Sequence, residues 1–271
     1  MVAPNVIYRP TPQVGQLCAD PRRTARRLAS QLLLASIVLF PASTAWAQVQ
    51  RSFANLSFEQ PPLVTPGCRV YINASQVPGW QTTHPNQATE NSGGCVVAGG
   101  LGASPGPIIE LWRTPRNNDS GGIVNARSGV QIAELNAAVS SRIFQNVCLI
   151  NGERVGWRFS HRGRSSATVR DVADMKIGAS STIVRVGTTN NGATNVPVAS
   201  QGVVDTPVNA PGNTSWVDYR GRFSYAGATG TTNMGFESVG GSTSGNLLDE
   251  IQIELAPFVE FTRPSSSTPE S

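Results

Sequence analysis

The stretch GVQIAELNA, residues 129–137, alternates apolar and polar side chains in the pattern of a β-strand. Because successive side chains of a strand point to opposite faces, Ile132, Glu134 and Asn136 share one face. A carboxylate and an amide beside an isoleucine are either buried and hydrogen-bonded or directed into a groove that binds a ligand. The stretch therefore predicts a strand and leaves two roles open for its polar residues.

Short alternating runs of this kind recur along the chain, separated by clusters of Gly, Asn, Pro and Ser. No segment of any length after residue 48 has the period of an amphipathic helix. We predict strands at 53–58, 108–112, 130–136, 141–149, 154–161, 171–177, 182–187, 215–224, 232–238 and 247–255. This number and spacing favour an all-β fold, an antiparallel β-sandwich. Two longer stretches, from about 60 to 106 and between the strands near 185 and 217, are interpreted as irregular insertions.

The first 47 residues have the organisation of an N-terminal extension followed by a signal peptide. Paired arginines precede an apolar stretch from Leu32 to Phe40, and small residues stand at Ala45 and Ala47. We expect cleavage after Ala47 and a protein that is secreted, periplasmic or on the cell surface. A retained membrane anchor is the alternative. The β-sandwich domain is then expected at 48–258, followed by a disordered C-terminal tail at 259–271.

The positive charge of the chain belongs to its leader. The whole sequence has 21 basic and 17 acidic residues, a net charge of +4. Residues 1–47 contain five arginines and one aspartate, so 16 basic and 16 acidic residues remain after cleavage. A neutral domain gives no electrostatic reason to bind nucleic acid or an anionic membrane, and neither is expected as a partner.

Four cysteines are present, and Cys18 falls within the extension. Cys68 and Cys95 both lie in glycine-rich loop sequence of an exported chain, so we predict that they form a disulfide. Cys148, within the apolar run FQNVCLI, is interpreted as a small buried thiol.

An ordered set of short motifs carries a resemblance to a known group of domains. NLSFEQP, VPGW, IIELW, SGVQIAELNA, GWRFSHRGR and GNLLDEIQIEL follow one another between about residues 53 and 256. Together they resemble bacterial secreted galactose-binding-like jelly rolls, which are similar to carbohydrate-binding modules and occur in surface proteins and adhesins. The resemblance implies a β-sandwich that binds without catalysing a reaction.

The resemblance also implies a structural calcium ion, held by an acidic residue after the first strand and an aspartate that opens the last strand. Glu59 and Asp249 occupy these positions. Strand alternation would place Asp249 on the same face as Leu247, Ile251 and Ile253, where an ionised carboxylate needs a partner. Calcium bound by carboxylates and carbonyls is one solution. A hydrogen-bonded or solvent-reaching aspartate is the alternative.

Six residues are candidates for ligand binding. Trp80 and Trp112 offer flat apolar rings on which a sugar can stack, although core packing is the common role of a sandwich tryptophan. The polar candidates are Glu110, Glu134, Asn136 and Arg164. IIELW and GVQIAELNA share one apolar–acidic pattern, which suits neighbouring strands with Glu110 near Glu134. Each has a structural alternative as a hydrogen-bonded or ion-paired group, and for Glu134 we favour that alternative because its neighbours are apolar.

The function that these features favour is a secreted, non-catalytic binding module for a glycan or another cell-surface or extracellular ligand. A structural or adhesive module that binds protein is the first alternative. The second is a glycoside hydrolase in which Glu110 and Glu134 act as the paired carboxylates. No nucleophile motif, zinc spacing or phosphate-binding loop supports an enzyme of another class.

Overall fold

A computed structural model describes residues 51–117, 122–195, 197–240 and 243–256. The extension at 1–47 and the tail at 259–271 lie outside these residues. In the described part the chain forms eighteen strands and one short 3-10 helix, η1 (Ala74–Gln76). The strands are β1 (Arg69–Asn73), β2 (Gln81–Thr82), β3 (Asn86–Gln87), β4 (Glu90–Ser92), β5 (Gly106–Arg113), β6 (Arg116–Asn117), β7 (Ile123–Val124), β8 (Gln131–Glu134), β9 (Arg142–Leu149), β10 (Arg154–Arg162), β11 (Asp171–Ile177), β12 (Ser181–Thr188), β13 (Val198–Ala199), β14 (Val203–Val204), β15 (Val208–Ala210), β16 (Asn213–Ser224), β17 (Gly230–Val239) and β18 (Leu247–Leu255).

The strands form two main sheets with antiparallel pairing throughout. The larger sheet has the order β14-β16-β10-β18-β8-β5-β1-β4, with β15 beside β16 and β3 beside β5. The smaller sheet has the order β13-β12-β11-β17-β9-β2, and β6 and β7 pair separately. The predicted antiparallel β-sandwich is confirmed. Among the described residues, no helix is long and apolar enough to cross a membrane.

The main core lies between the two sheets and follows the alternation of each strand. From the larger sheet it receives residues such as Leu111, Ala133 and Phe159, and from the smaller sheet Met175 and Phe236. Phe159 stacks on Tyr219 and meets Phe236 edge-on, at centroid separations of 5.6 and 4.8 Å. Burial of aliphatic and aromatic side chains at this interface is the main source of stability in such a fold.

Nine of the ten predicted strands coincide with strands of the structure, and the segment 53–58 does not. Asn55 and Phe58 have positive φ angles, of 51° and 58°, which an extended strand does not allow. The Asn55 side chain closes a local turn, because its amide donates to the Gln60 carbonyl and its oxygen accepts from the Gln60 N–H. Local side-chain bonding has replaced the predicted strand.

The stretch from 60 to 106 is more regular than predicted, because it contains β1 to β4 and η1. Strand β1 pairs with β5 along its whole length, so it belongs to the interior of the larger sheet. The predicted disulfide between Cys68 and Cys95 is confirmed in this region, with the two Cα atoms 5.2 Å apart. Cys148 is also disulfide-bonded, which corrects its interpretation as a free thiol. Its partner lies outside the described residues.

The alternation predicted for β18 is interrupted by an irregularity. Leu247 packs on the outward side of the larger sheet, whereas Ile251 packs in the main core. The pairing with β10 shifts register between Arg158 and Ser160, and Glu250 has a φ of 47°. One extra residue in a strand reverses the faces of those that follow, so Leu247 and Ile251 do not share a face.

Candidate ligand-binding site

The outward face of the larger sheet carries the carboxylates that the sequence singled out. Glu110 on β5 is the direct cross-strand partner of Glu134 on β8. The prediction that their strands are neighbours is therefore confirmed, and Ile132 shares their outward face while Ala133 enters the main core. Both carboxylates are fully buried. We call Glu110, Glu134, Trp112 and Arg164 the carboxylate cluster.

Glu134 is held by charge-assisted bonds. The Arg164 Nη1 atom lies 2.9 Å from each of its carboxylate oxygens, and the Gly245 N–H donates to Oε1 at 2.6 Å. Burial raises the pKa of Glu134, while Arg164 and the Gly245 N–H oppose that shift by stabilising the ionised form. A Cβ at position 245 would lie 2.6 Å from the carboxyl carbon of Asp171, so this close approach requires glycine.

Glu110 lies in a less compensated environment. Its Oε1 accepts from the Trp112 indole N–H at 2.7 Å, and the Arg69 guanidinium is 3.6 Å away. Its Oε2 is buried without a hydrogen-bond donor. Burial, followed by the negative charge of Glu134, raises the pKa of Glu110 well above its ordinary value. These effects favour the protonated form of Glu110.

Trp112 is a packing residue of the cluster. Its ring is fully buried, and the guanidinium carbons of Arg164 and Arg116 lie 4.8 and 5.1 Å from it. Trp80 is 3% exposed, stacks on Phe58 and donates its indole N–H to the Asn55 carbonyl. Neither ring face is open to a sugar in this structure, so the geometry supports the packing alternative and their ligand-binding role stays a prediction.

Asn136 belongs to a buried hydrogen-bond network. Its side-chain oxygen accepts from Asn246 at 2.9 Å, and Asn246 in turn bonds Nε2 of His161 at 2.9 Å. The other imidazole nitrogen lies 2.9 Å from the Thr188 hydroxyl. Burial lowers the pKa of His161 to about 4, and the Asn246 bond opposes that shift. The structure thus gives Asn136 and Arg164 structural partners, and a role in ligand binding stays a prediction for both.

Glu59 and Asp249 both bind the loop that enters β8. Asp249 Oδ2 accepts from the N–H groups of Arg127 and Ser128, at 2.7 and 2.9 Å. Glu59 Oε1 accepts from the N–H groups at 130 and 131, at 2.8 and 3.0 Å. Burial raises the pKa of Asp249 to about 7, with the backbone donors opposing and the charge of Glu59 adding to the shift. The described residues contain no group of three or more His, Cys, Asp or Glu arranged for a metal ion.

An open groove lies elsewhere on the same outward face, where β16, β10 and β18 run side by side. Two adjoining cavities of about 700 and 280 Å³ share Gly156, Arg222 and Glu254. Arg222 and Glu254 are the cross-strand neighbours of Gly156 on its two sides. We call this the Gly156 groove, and its further polar lining residues are Arg154, Arg158, Asp205, Arg220, Ser224 and Gln252.

The floor of the groove is open because Gly156 has no side chain. A Cβ built there would meet Glu254 at 3.7 Å and nothing closer, which is ordinary van der Waals contact. Core packing therefore does not require glycine at this position. Gly221, on the neighbouring strand, differs, since a Cβ there would lie 2.5 Å from the ring of Trp157. The missing side chain at 156 creates space on the solvent side of the sheet.

Sequence reasoning did not identify this groove. The signal was present in RVGWRFS, where a glycine interrupts the outward row of Arg154 and Arg158. The sequence does not show that β16 and β18 flank Gly156. Its cross-strand neighbours Arg222 and Glu254 lie about 66 and 98 positions further along the chain.

The fold and site define an all-β sandwich with an open groove on one sheet. No protein-family model and no curated protein matches the chain. Among solved structures, the chain is similar to a Stig cyclase, Fisc, from Fischerella sp. TAU, determined in complex with an indole compound. That match has a TM-score of 0.41 and 12% identity, and it covers 77% of this chain and 98% of the cyclase.

Two carbohydrate-binding modules are also similar. TmCBM61, in complex with beta-1,4-galactotriose, matches with a TM-score of 0.36 and 15% identity over 76% of this chain and 98% of the module. The CBM22-1 xylan-binding domain from Paenibacillus barcinonensis Xyn10C matches with a TM-score of 0.33 and 17% identity over 70% and 94%. All three are distant similarities.

Proposed function

We propose that this chain is a secreted, non-catalytic binding module that holds a glycan in the Gly156 groove. The observation that carries the proposal is the open floor at Gly156 between Arg222 and Glu254. The larger cavity, at about 700 Å³, is the size of a small-molecule site. Guanidinium, carboxylate and amide groups along the two cavities of the groove supply both donors and acceptors for sugar hydroxyls.

Export is part of the proposal. The leader-like first 47 residues support it, and so does the Cys68–Cys95 disulfide, because such bonds persist in oxidising compartments. The non-catalytic assignment is supported by the carboxylate cluster. Glu110 and Glu134 are fully buried and do not line the groove, so a sugar lying there would not meet them.

We also propose, from the resemblance, that a calcium ion binds at Glu59 and Asp249. Two carboxylates meet at one loop there, and the charge of Glu59 disfavours ionisation of Asp249. A hard cation would relieve that repulsion. Asp249 accepts three backbone N–H bonds and Glu59 two. Because a carboxylate has about four lone-pair sites, oxygen lone pairs remain on both side chains.

The glycan proposal is tested by filling the groove. Gly156→Val places a β-branched side chain on the floor, in a conformation that a strand residue adopts and with no contact closer than 3.7 Å at Cβ. Gln81→Val introduces the same side chain at an exposed position of the smaller sheet and is the matched control. The wild-type chain and both variants are applied to an array of neutral and acidic oligosaccharides.

The expected result is glycan binding by the wild type and Gln81→Val, and loss of binding by Gly156→Val at an unchanged melting temperature. A wild-type chain that binds no glycan on the array would overturn the proposal and favour a protein partner. Unchanged glycan binding by a folded Gly156→Val protein would also overturn it, because the ligand would then lie elsewhere. If Gly156→Val lowers the melting temperature, Gly156→Ala, which adds the Cβ alone, separates a folding defect from lost binding.

A further inference from the structure

Charge pairing differs among the four arginines that line the Gly156 groove. Arg158 lies 3.2 Å from carboxylate oxygens of both Asp218 and Glu250. Arg220 lies 3.4 Å from Asp205. These two guanidinium groups are therefore neutralised by the protein itself. Their charges contribute little attraction for an anionic ligand.

The other two arginines have no ion pair with any described residue. Arg154 and Arg222 are exposed at the surface of the larger cavity, Arg154 two positions before Gly156 on β10 and Arg222 beside it on β16. Among the described residues, Glu254 is the one acidic side chain that lines that cavity, and it stands on the opposite side of Gly156 from Arg222. The open floor is thus bordered by two arginines, Arg154 along its own strand and Arg222 on β16, that form no ion pair with a described residue.

This concentration of positive charge is local. Beyond residue 47 the chain has 16 basic and 16 acidic residues, so no general excess of charge accounts for it. Guanidinium groups bind planar carboxylates through two parallel hydrogen bonds, and arginine is the side chain best suited to that geometry. Glu254 can meanwhile accept hydrogen bonds from hydroxyl groups, which a simple anion does not possess.

We infer that the Gly156 groove selects an acidic glycan, in which Arg154 and Arg222 bind the carboxylates of uronic acid residues and Glu254 binds sugar hydroxyls. This inference rests on the proposed function, since it concerns the ligand class of the same groove. Arg154 and Arg222 supply the selectivity, and the open floor at Gly156 supplies the space.

Polygalacturonate and its methyl ester form a matched pair of probes, because esterification removes the charge and leaves the sugar backbone. Binding of the full chain to both polymers is measured by titration calorimetry. Dextran sulfate and uncharged dextran form a second pair, which tests sulfate in place of carboxylate. The variants are Arg222→Gln and Arg154→Gln, with Arg170→Gln as a control that removes an equal charge from an exposed position outside the groove.

Polygalacturonate should bind more tightly than its methyl ester. Loss of a hydrogen-bonded charge pair corresponds to about tenfold or more in affinity, so each groove variant should weaken polygalacturonate binding by at least that factor. Arg170→Gln should leave it unchanged. Added salt should weaken binding of the acid form more than of the ester.

Equal affinity for polygalacturonate and its ester would overturn the selectivity for acidic sugars and leave the proposed glycan function standing. Binding of dextran sulfate without binding of polygalacturonate would overturn the assignment to carboxylates. If Gly156→Val abolishes binding but Arg222→Gln and Arg154→Gln do not weaken it, the groove is the site and the arginines are not its selective element. If the wild-type chain binds none of these polymers and no glycan on the array, the proposed function itself is overturned.

Discussion

Glu110 and Glu134 lie directly opposite each other on neighbouring strands, fully buried, yet their surroundings favour different protonation states. Both carboxylate oxygens of Glu134 accept hydrogen bonds from Arg164, whereas Oε2 of Glu110 has no hydrogen-bond donor. Two carboxylates this close cannot both ionise without a large electrostatic cost. The favoured arrangement in this buried pair is therefore a neutral Glu110 and an ionised Glu134.

Removing the cation of this cluster is expected to destabilise the fold strongly. Arg164→Met keeps much of the side-chain volume but leaves Glu134 buried without its partner, which typically costs about 3–5 kcal/mol. Urea denaturation at neutral pH measures the loss. The double variant Arg164→Met with Glu134→Gln should recover part of it, since the buried charge is then gone. A single variant within about 1 kcal/mol of the wild type would contradict the ion pair's structural role.

Glu110 should make stability fall as the pH rises. Its pKa in the folded state is raised well above 4.5, so the folded protein holds this proton more tightly than the unfolded chain does. The stabilisation is complete below pH 4.5 and is lost as the pH rises toward the folded-state pKa. Glu110→Gln, which stays neutral, should lack that decline. Urea midpoints of wild type and variant, measured from pH 4 to 8, should diverge toward alkaline pH, and parallel curves would contradict it.

His161 should produce the opposite trend. Burial lowers its pKa to about 4 from 6.5, so the unfolded chain takes up a proton in that interval and the folded protein does not. Stability from the neutral imidazole is present above pH 6.5 and is lost as the pH falls to about 4. His161→Gln keeps a hydrogen-bonding side chain without this titration. The wild-type minus variant difference in unfolding free energy should shrink on acidification, and NMR titration of the imidazole should give a midpoint well below 6.5.

The disulfide between Cys68 and Cys95 can be tested chemically. Peptide mapping without reduction should find Cys68 joined to Cys95. The bond closes a loop between residues 27 positions apart. In the chain-entropy model, replacing both of its cysteines with serine should cost about 3–4 kcal/mol. Recovery of alkylated Cys68 or Cys95 from the unreduced protein would contradict this bond.

The calcium proposal predicts a change in thermal stability. An ion that binds the folded state and not the unfolded chain raises the melting temperature by mass action. Calcium should raise it, EDTA should lower it, and Asp249→Ala should remove the difference between the two conditions. Asp174→Ala changes a carboxylate that is paired with Arg185 on the smaller sheet and serves as the control. A melting temperature of the wild type that EDTA leaves unchanged would refute the ion.

Much of this fold could be predicted from local sequence. The alternation in GVQIAELNA correctly places Ile132 and Glu134 on one face, and the shared pattern of IIELW and GVQIAELNA correctly placed Glu110 beside Glu134. Asn136, which the alternation put on the same face, lies beyond the end of β8 and bonds Asn246. The failures are also instructive. The segment 53–58 alternates correctly, but the Asn55 side chain forms a turn, and the irregularity at Glu250 reverses the faces that β18 was expected to present.

The candidate site was harder to predict because exposure is not a property of sequence spacing. Trp80 and Trp112 have flat apolar rings on which a sugar could stack, but both are buried because other elements of the fold pack against their rings. Gly156 looks unremarkable in the chain. It becomes the floor of a groove through the strands that pair on either side of it.

Alternation and turn residues act over a few residues, so local sequence predicts the all-β class, nine of the strands and the face that Ile132 and Glu134 share. Glycine-rich loop sequence around two cysteines of an exported chain predicts the Cys68–Cys95 bond. The tertiary structure alone decided which polar groups are buried with partners and which remain open. Arg164 meets Glu134 across 30 positions, and Arg222 meets Gly156 across 66. Such contacts depend on strand order and register, and these are set by the packing of the whole sandwich.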